Sequence, residues 1–139
     1  MTREPVYAAL FVLLSGAASF ATSSRRLRHW SDVGPAEQPA LFVVQKSETA
    51  ERKAGMPAKW RASVDVYIYA HAPDDETAPA AVLNPLLDTI EAALAPQGAM
   101  QTLGGLASHT WIAGKIETDE GVLGGQAVAI VPVEILVAD

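Results

Sequence analysis

The stretch KWRASVDVYIYAH, residues 59–71, decides how the rest of the chain can fold. Aliphatic residues alternate along it with polar and aromatic ones. The aliphatic set is Val64, Val66, Ile68 and Ala70, and the second set is Ser63, Asp65, Tyr67 and Tyr69. Alternation with a period of two, in β-branched and aromatic residues, is typical of a strand with two different faces. We expect the aliphatic face to meet helices, and the length of the strand predicts a central position in a sheet.

Apolar runs on both sides of this strand predict further strands. Residues 40–45, ALFVVQ, are nearly all apolar and are predicted to be buried on both faces. Residues 127–137, AVAIVPVEILV, carry an aliphatic row, and Pro132 predicts a sheet edge or a bulge there because proline donates no hydrogen bond. Residues 107–117 form another predicted strand. The polar residues 46–59 would join two strands into an extended hairpin with a projecting tip.

Helical spacing appears first near the start of the chain. The segment from Val6 to Ala21 is apolar, and its apolar residues recur at helical spacing, with Gly16 as the predicted end. A signal peptide is the alternative for this segment. Arg3 is the single positive charge before it and Glu4 follows directly, which is a poor match to the positive region of a signal peptide. We therefore expect a buried helix.

A second helix is predicted to end near Leu94. It begins either at Pro79 or at Pro85, where Asn84 would be the capping residue. The order helix, strands, helix, strands predicts an α+β fold: a mostly antiparallel β-sheet with two main helices packed on one face. The 139 residues are enough for one domain with a real core, so we expect residues 1–139 to form a single domain.

Composition excludes several kinds of function. The chain has no cysteine, which excludes disulfides, thiolate metal sites and cysteine nucleophiles. The net charge of −6 argues against a general nucleic-acid binder, which usually has a basic face. A local basic patch remains compatible with that charge.

Two acidic clusters are candidates for a site of chemistry. His71 with the carboxylates of residues 74–76 suggests a cation site, but acidic residues before a helix also stabilise its N-terminal end. Glu117, Asp119 and Glu120 suggest paired carboxylates, but a hairpin turn provides no apolar pocket to separate their pKa values. We therefore expect no catalytic residue, no metal and no cofactor, and no enzymatic activity.

The basic run RRLRHW, residues 25–30, is the most informative polar cluster. Leu27 between two arginines predicts a short exposed strand. Two interpretations stay open: the arginines contact phosphates or an acidic partner, or they protect an edge strand against aggregation.

Six stretches in this order resemble the tail terminator family of long-tailed, lambda-like phages and prophages. They are RRLRHWSDV (25–33), QPALFVVQ (38–45), KWRASVDVYIYAH (59–71), LNPLLDTIEAAL (83–94), GKIETDEG (114–121) and AIVPVEILV (129–137). The resemblance covers nearly the whole chain and consists of shapes and their order, with no fixed polar motif.

The resemblance implies a structural virion protein without enzymatic activity or cofactor. It would cap the head-proximal end of the tail tube, stop tail polymerisation and present a surface for joining the head. Its partners would be further copies of itself in a hexameric ring, the tail tube protein and a head-completion or connector protein. DNA would pass through the lumen without sequence-specific binding, and no membrane is involved. The protein would be assembled in the bacterial host cytoplasm and reside in the virion tail.

Two sets of residues are candidates for these contacts. The candidate subunit or lumen interface is Arg25, Arg26, Arg28, Tyr67 and Tyr69, because aromatic residues are favoured at interfaces and arginines would face passing DNA. The candidate mobile partner-binding loop, predicted to become ordered in the assembly, contains Lys46, Glu48, Glu51, Arg52 and Lys53. The alternatives are another connector or minor tail protein, and a small ligand-binding or enzymatic α+β domain.

Overall fold

Six strands form one sheet in the computed structural model, which describes residues 1–120 and 124–138. The two helices are α1 (Arg3–Ser15) and α2 (Pro79–Leu94). The strands are β1 (Thr22–Ser24), β2 (Ala40–Glu51), β3 (Lys59–His71), β4 (His109–Ile112), β5 (Glu117–Asp119) and β6 (Gln126–Ala138). The sheet order is β1-β2-β3-β6-β4, and β5 pairs with β6 beyond the end of β4. All pairs are antiparallel except β1 with β2, which confirms the predicted α+β class.

Strand β3 is central, as its sequence predicts. It pairs with β6 along its whole length, from Lys59 opposite Ala138 to His71 opposite Gln126, and on the other side with β2 up to Tyr69. Its aliphatic residues are fully buried, and Val66 has no exposed surface. The alternation therefore correctly predicts both the strand and which of its faces is buried.

Both helices pack on the aliphatic face of the sheet. The buried side chains of α1 and α2 join those of the strands in one core: Val6, Tyr7, Leu10, Leu14, Leu83, Ile90 and Leu94. Helix α1 ends at Gly16, as predicted. None of the helices within the described residues is long and apolar enough to cross a membrane.

Helix α2 starts at the earlier of the two predicted positions. It begins at Pro79, so Asn84 lies inside the helix and the prediction of an Asn84 cap is wrong. The first turn is instead satisfied from far along the chain, because the backbone N–H of Ala80 donates to Glu120 Oε2 at 3.0 Å. The carboxylate of Asp74 accepts hydrogen bonds within its own turn, from the backbone and hydroxyl of Thr77 at 2.8 Å each.

Pro132 lies at neither a sheet edge nor a bulge, which corrects the prediction. Its carbonyl accepts from the N–H of Ala113 at 2.9 Å, just beyond the end of β4. On this side of β6 the partner changes from β4, which reaches Val133, to β5, which starts opposite Ile130. The missing N–H of Pro132 therefore points into the gap between two short strands, where no ladder bond is required.

The predicted strand over residues 107–117 is divided. Its first part is β4 and its end begins β5, and residues 113–116 between them are not in a strand. Gly114 in this connection has φ +102°, a backbone conformation that side chains other than glycine rarely adopt. The acidic residues predicted to form a turn are thus partly strand β5, and all three are exposed.

The hairpin of β2 and β3 exists, but its loop is shorter than predicted. Residues Lys46 to Glu51 continue β2 and pair with β3 after an irregularity between Gln45 and Ser47. The prediction of a loop from Lys46 onward is wrong for this half, whereas mobility and partner binding stay predictions. The mostly polar residues 47–51 pair with residues 59–63 of β3, so only residues 52–58 form the tip.

Candidate assembly surface

The face of the sheet opposite the helices is uncovered over most of its area, and we call it the open face. Its members point away from the core and are all half-buried: Arg61, Ser63, Asp65, Tyr67, Val128, Ile130, Pro132 and Glu134. The chain between β1 and β2, residues 25–39, covers one end of this face. The rest is available to another molecule.

Under that covering segment lies a second, smaller core. Val33, Ala40, Phe42 and Tyr69 are buried together in it. Tyr69 is 3% exposed, its ring centroid lies 5.3 Å from that of Phe42, and its hydroxyl donates to the carbonyl of Arg28 at 2.6 Å. Burial raises the pKa of Tyr69 to about 12. Of the two candidate interface tyrosines, Tyr69 thus lies inside the subunit, whereas Tyr67 remains half-buried on the open face.

The basic segment, residues 25–30, is not a strand, which corrects the prediction. Strand β1 ends at Ser24, and the segment continues as irregular chain into a short 3-10 turn at Trp30–Asp32. The alternation around Leu27 therefore does not correspond to a strand.

Two of the three arginines in this segment are neutralised within the subunit. Arg25 forms an ion pair with Glu4 on α1 and donates to Gln45 at 3.2 Å. Arg28 donates to both carboxylate oxygens of Glu37, at 2.9 and 3.1 Å. These hydrogen bonds lower the pKa of both glutamates.

Arg26 differs from its neighbours. It is exposed, and its guanidinium makes no ion pair in the part of the chain that the structure describes. Contact between this segment and DNA therefore remains a prediction that rests chiefly on one side chain.

Glu48, a residue of the predicted mobile loop, ties β2 to helix α1. Its two oxygens accept hydrogen bonds from Arg3 Nε and Tyr7 Oη, each at 2.7 Å. The bond from Tyr7 lowers the pKa of Glu48, and Arg3 acts in the same direction. Burial raises the pKa of Tyr7, and the carboxylate of Glu48 raises it further. The sequence does not indicate this cluster, because Glu48 lies more than forty residues from Arg3 and Tyr7.

Glu48→Gln is expected to reduce stability at neutral pH by about 1 kcal/mol, because it removes the charge from two hydrogen bonds. The folded-state pKa of Glu48 lies below its ordinary value of 4.5. Its contribution is therefore present above pH 4.5 and is lost as the pH falls through the folded-state pKa. Urea unfolding of wild type and variant between pH 7 and pH 3 should show two curves that converge in acid. Glu91→Gln, at an exposed position on α2, is the control and should show no such convergence.

Charges on the open face are also paired. Arg61 contacts Glu134 at 3.0 Å and Glu51 at 3.6 Å, and its guanidinium lies 5.7 Å from the centre of the Trp111 ring. Lys46 lies 3.8 Å from Asp65. This half of the face presents a nearly neutral surface.

Next to β5 the open face deepens into a groove of about 570 Å³, which we call the β5 groove. Its charged lining residues are Glu117, Asp119 and Lys115, and its apolar lining is Trp30, Ile116, Val128 and Ile130. Trp30 and Ile116 are both 37% exposed, which is high for large apolar side chains. Sequence patterns indicate the acidic residues but not the groove, because its apolar wall comes from three separate parts of the chain.

Within the described residues, no three His, Asp or Glu side chains come together as a metal-binding group. His71 packs against Gly125, where a Cβ would lie 3.1 Å from its ring. Asp74 is held by the hydrogen bonds of its own turn. The structure therefore does not bring His71 and the carboxylates of residues 74–76 into one cluster.

Comparison with known proteins shows a likeness of fold. Neither a family model nor a curated protein matches the sequence. Among solved structures, a chain of the virion of the native gene transfer agent (GTA) particle superposes with a TM-score of 0.58 at 12% sequence identity. The superposition covers 96% of this chain and 95% of that one. The two chains share a fold. Coverage from end to end means that the likeness includes both helices and the sheet together.

Proposed function

We propose that this chain is a structural subunit of a phage-like virion, and that it acts as a tail terminator. In this role it caps the head-proximal end of the tail tube, stops polymerisation and presents the surface to which the head is joined. The role is mechanical and uses no catalytic group and no cofactor. The protein would act in the virion, after assembly in the bacterial host cytoplasm.

The observation that carries the proposal is the end-to-end likeness to a virion chain, with 96% and 95% coverage. The order of the six stretches that resemble tail terminators adds the finer role. Two unrelated lines, one from backbone geometry and one from sequence, thus favour the same kind of protein.

The surface of the subunit suits a ring-forming cap. A closed ring of identical subunits needs two different patches that meet head to tail. The open face and the projecting hairpin tip are two different patches of the subunit. The chain carries a net charge of −6, and arginines such as Arg26 would offset this charge locally where DNA passes.

Deleting the gene in the particle-producing host tests the function directly. We expect tails of uncontrolled length and heads without tails in electron micrographs of the lysate, and restoration of both by the wild-type gene. A matched control is complementation with a gene carrying an early stop codon, which should restore neither.

The alternatives give different micrographs. Tails of normal length that fail to join heads would overturn the terminator role and indicate a connector. Normal, infectious or transducing particles would overturn a structural role altogether.

A further inference from the structure

The hairpin tip, residues 52–58, carries an exposed apolar side chain, and positively charged residues lie in the tip and at the start of β3. Met56 is 60% exposed. Arg52, Lys53 and Lys59 flank it, all exposed, and none of them forms an ion pair in the part of the chain that the structure describes. A large apolar side chain held away from the core and ringed by free cations is typical of a contact surface.

The β5 groove has the opposite character. Its apolar walls are partly exposed, and its rim carries Glu117 and Asp119, with Glu120 next along the chain. Lys115 lies 3.7 Å from Glu117. Asp119 forms no ion pair in the described ranges, 1–120 and 124–138. Lys115 lines the groove as well, so Glu117 is paired and the negative charge left over is that of Asp119. The groove is thus an apolar recess with a net negative rim, which complements the exposed Met56 and its neighbouring cations.

One subunit has no means of filling its own groove with its own tip. The tip lies at the end of β3 where Lys59 is opposite Ala138, whereas β5 starts opposite Ile130 on β6. Eight residues of strand separate the two positions along β6, roughly 26 Å at about 3.3 Å per residue. Any pairing of the two surfaces must therefore join different molecules.

We propose that the hairpin tip of one copy docks in the β5 groove of the next copy, with Met56 in the recess and Arg52 and Lys53 against Glu117 and Asp119. This inference rests on the proposed function, since it names the two surfaces that would join subunits of the ring. Different patches on each partner make the contact heterologous. Such a contact closes into a ring if the rotation between neighbours divides a full turn, and otherwise extends into a filament.

The absence of cysteine from the chain allows a clean trapping experiment. The variant Met56→Cys with Ile116→Cys places one thiol on the tip and one in the groove. We expect mild oxidation of the purified full chain to give a ladder of disulfide-linked oligomers. The matched control is Met56→Cys with Val12→Cys, since Val12 on α1 is 69% exposed and lies outside the groove. We expect the control to form at least tenfold less oligomer beyond the dimer.

Charge exchange then tests the pairing itself. Arg52→Glu with Lys53→Glu should abolish cross-linking in the cysteine background, and so should Glu117→Lys with Asp119→Lys. The two changes combined in one chain should restore it. Asp75→Lys with Asp88→Lys alters net charge as the groove variant does, at exposed positions elsewhere, and should leave cross-linking unchanged. Wild-type cross-linking should also weaken as salt is raised from 50 to 500 mM.

The outcomes separate this inference from the function on which it rests. Oxidation traps rare encounters, so a yield no higher than the Val12 control overturns the contact even if the isolated protein is monomeric. The contact is also overturned if cross-linking persists in the variant with the reversed tip alone or in the variant with the reversed groove alone. If gene deletion gives uncontrolled tails but trapping fails, the docking inference alone falls. If trapping succeeds but tails have normal length, the contact stands and the terminator role falls.

Discussion

Val66→Asp is expected to leave no folded, soluble protein. Val66 has no exposed surface and faces the helices from the middle of β3. An aspartate there would be a charge without a partner in the apolar core. The cost is comparable to the whole unfolding free energy of a small domain, about 5–15 kcal/mol. The measurement is the soluble fraction after expression, followed by the melting transition monitored by circular dichroism.

A second pair of variants controls for the charge and for its position. Val66→Lys should fail in the same way as Val66→Asp. Val44→Lys should fold, because Val44 is half-buried on the open face directly opposite Asp65. A cooperative melting transition near that of the wild type for Val66→Asp would show that the faces of β3 are assigned in the wrong sense.

Tyr69→Ala is expected to destabilise the protein by roughly 3 kcal/mol, the range found when large buried aromatic side chains are truncated. It removes the ring packed on Phe42 and the hydrogen bond to the carbonyl of Arg28. The covering segment, residues 25–39, should lose its attachment to the sheet, which hydrogen exchange would report as reduced protection there. Chemical unfolding of the purified variant gives the free-energy change.

Tyr67→Ala is the matched control, two residues away on the same strand. Tyr67 is half-buried on the open face, so we expect a much smaller loss of stability than for Tyr69→Ala. Tyr69→Phe keeps the ring and loses only the hydroxyl, and should cost about 1 kcal/mol. Equal losses for the two alanine variants would contradict the assignment of Tyr69 to the small core.

Sequence alone predicted the parts of the fold that depend on local periodicity. The bounds of β3 agree with the predicted residues 59–71, and α1 and α2 lie where apolar residues recur at helical spacing. The apolar side chains of these elements face one core, so the spacing of apolar residues along each element shows which of its sides is buried.

Sequence patterns did not predict features that depend on residues far apart in the chain. Alternation predicts that Arg25 belongs to an exposed strand, but its partner is Glu4, 21 residues earlier. The N-terminal end of α2 was assigned to the nearby acidic residues, but Glu120 caps it from 40 residues further on. Pairings of this kind depend on which surfaces the fold brings together, and neither residue carries a local signal of its partner.

The same limit applies to the candidate surface. Exposure inferred from alternation placed Tyr67 and Tyr69 on one surface, which is correct for the direction of their side chains. The segment that covers Tyr69 joins β1 to β2, and no period in its sequence indicates that it folds back over the sheet. The β5 groove was missed for the same reason.

Strand β6 is synthesised after the strands it joins, and it supplies the partner of β3, β4 and β5 at once. While residues 126–138 have not yet left the ribosome, the nascent chain therefore lacks the strand that joins β3 to β4 and β5. In such a chain β5 has no partner strand. The hairpin of β2 and β3 is also unpaired on the side of β3 that β6 would occupy. If assembly depends on the hairpin tip and the β5 groove, a subunit whose synthesis is incomplete is unable to join the particle.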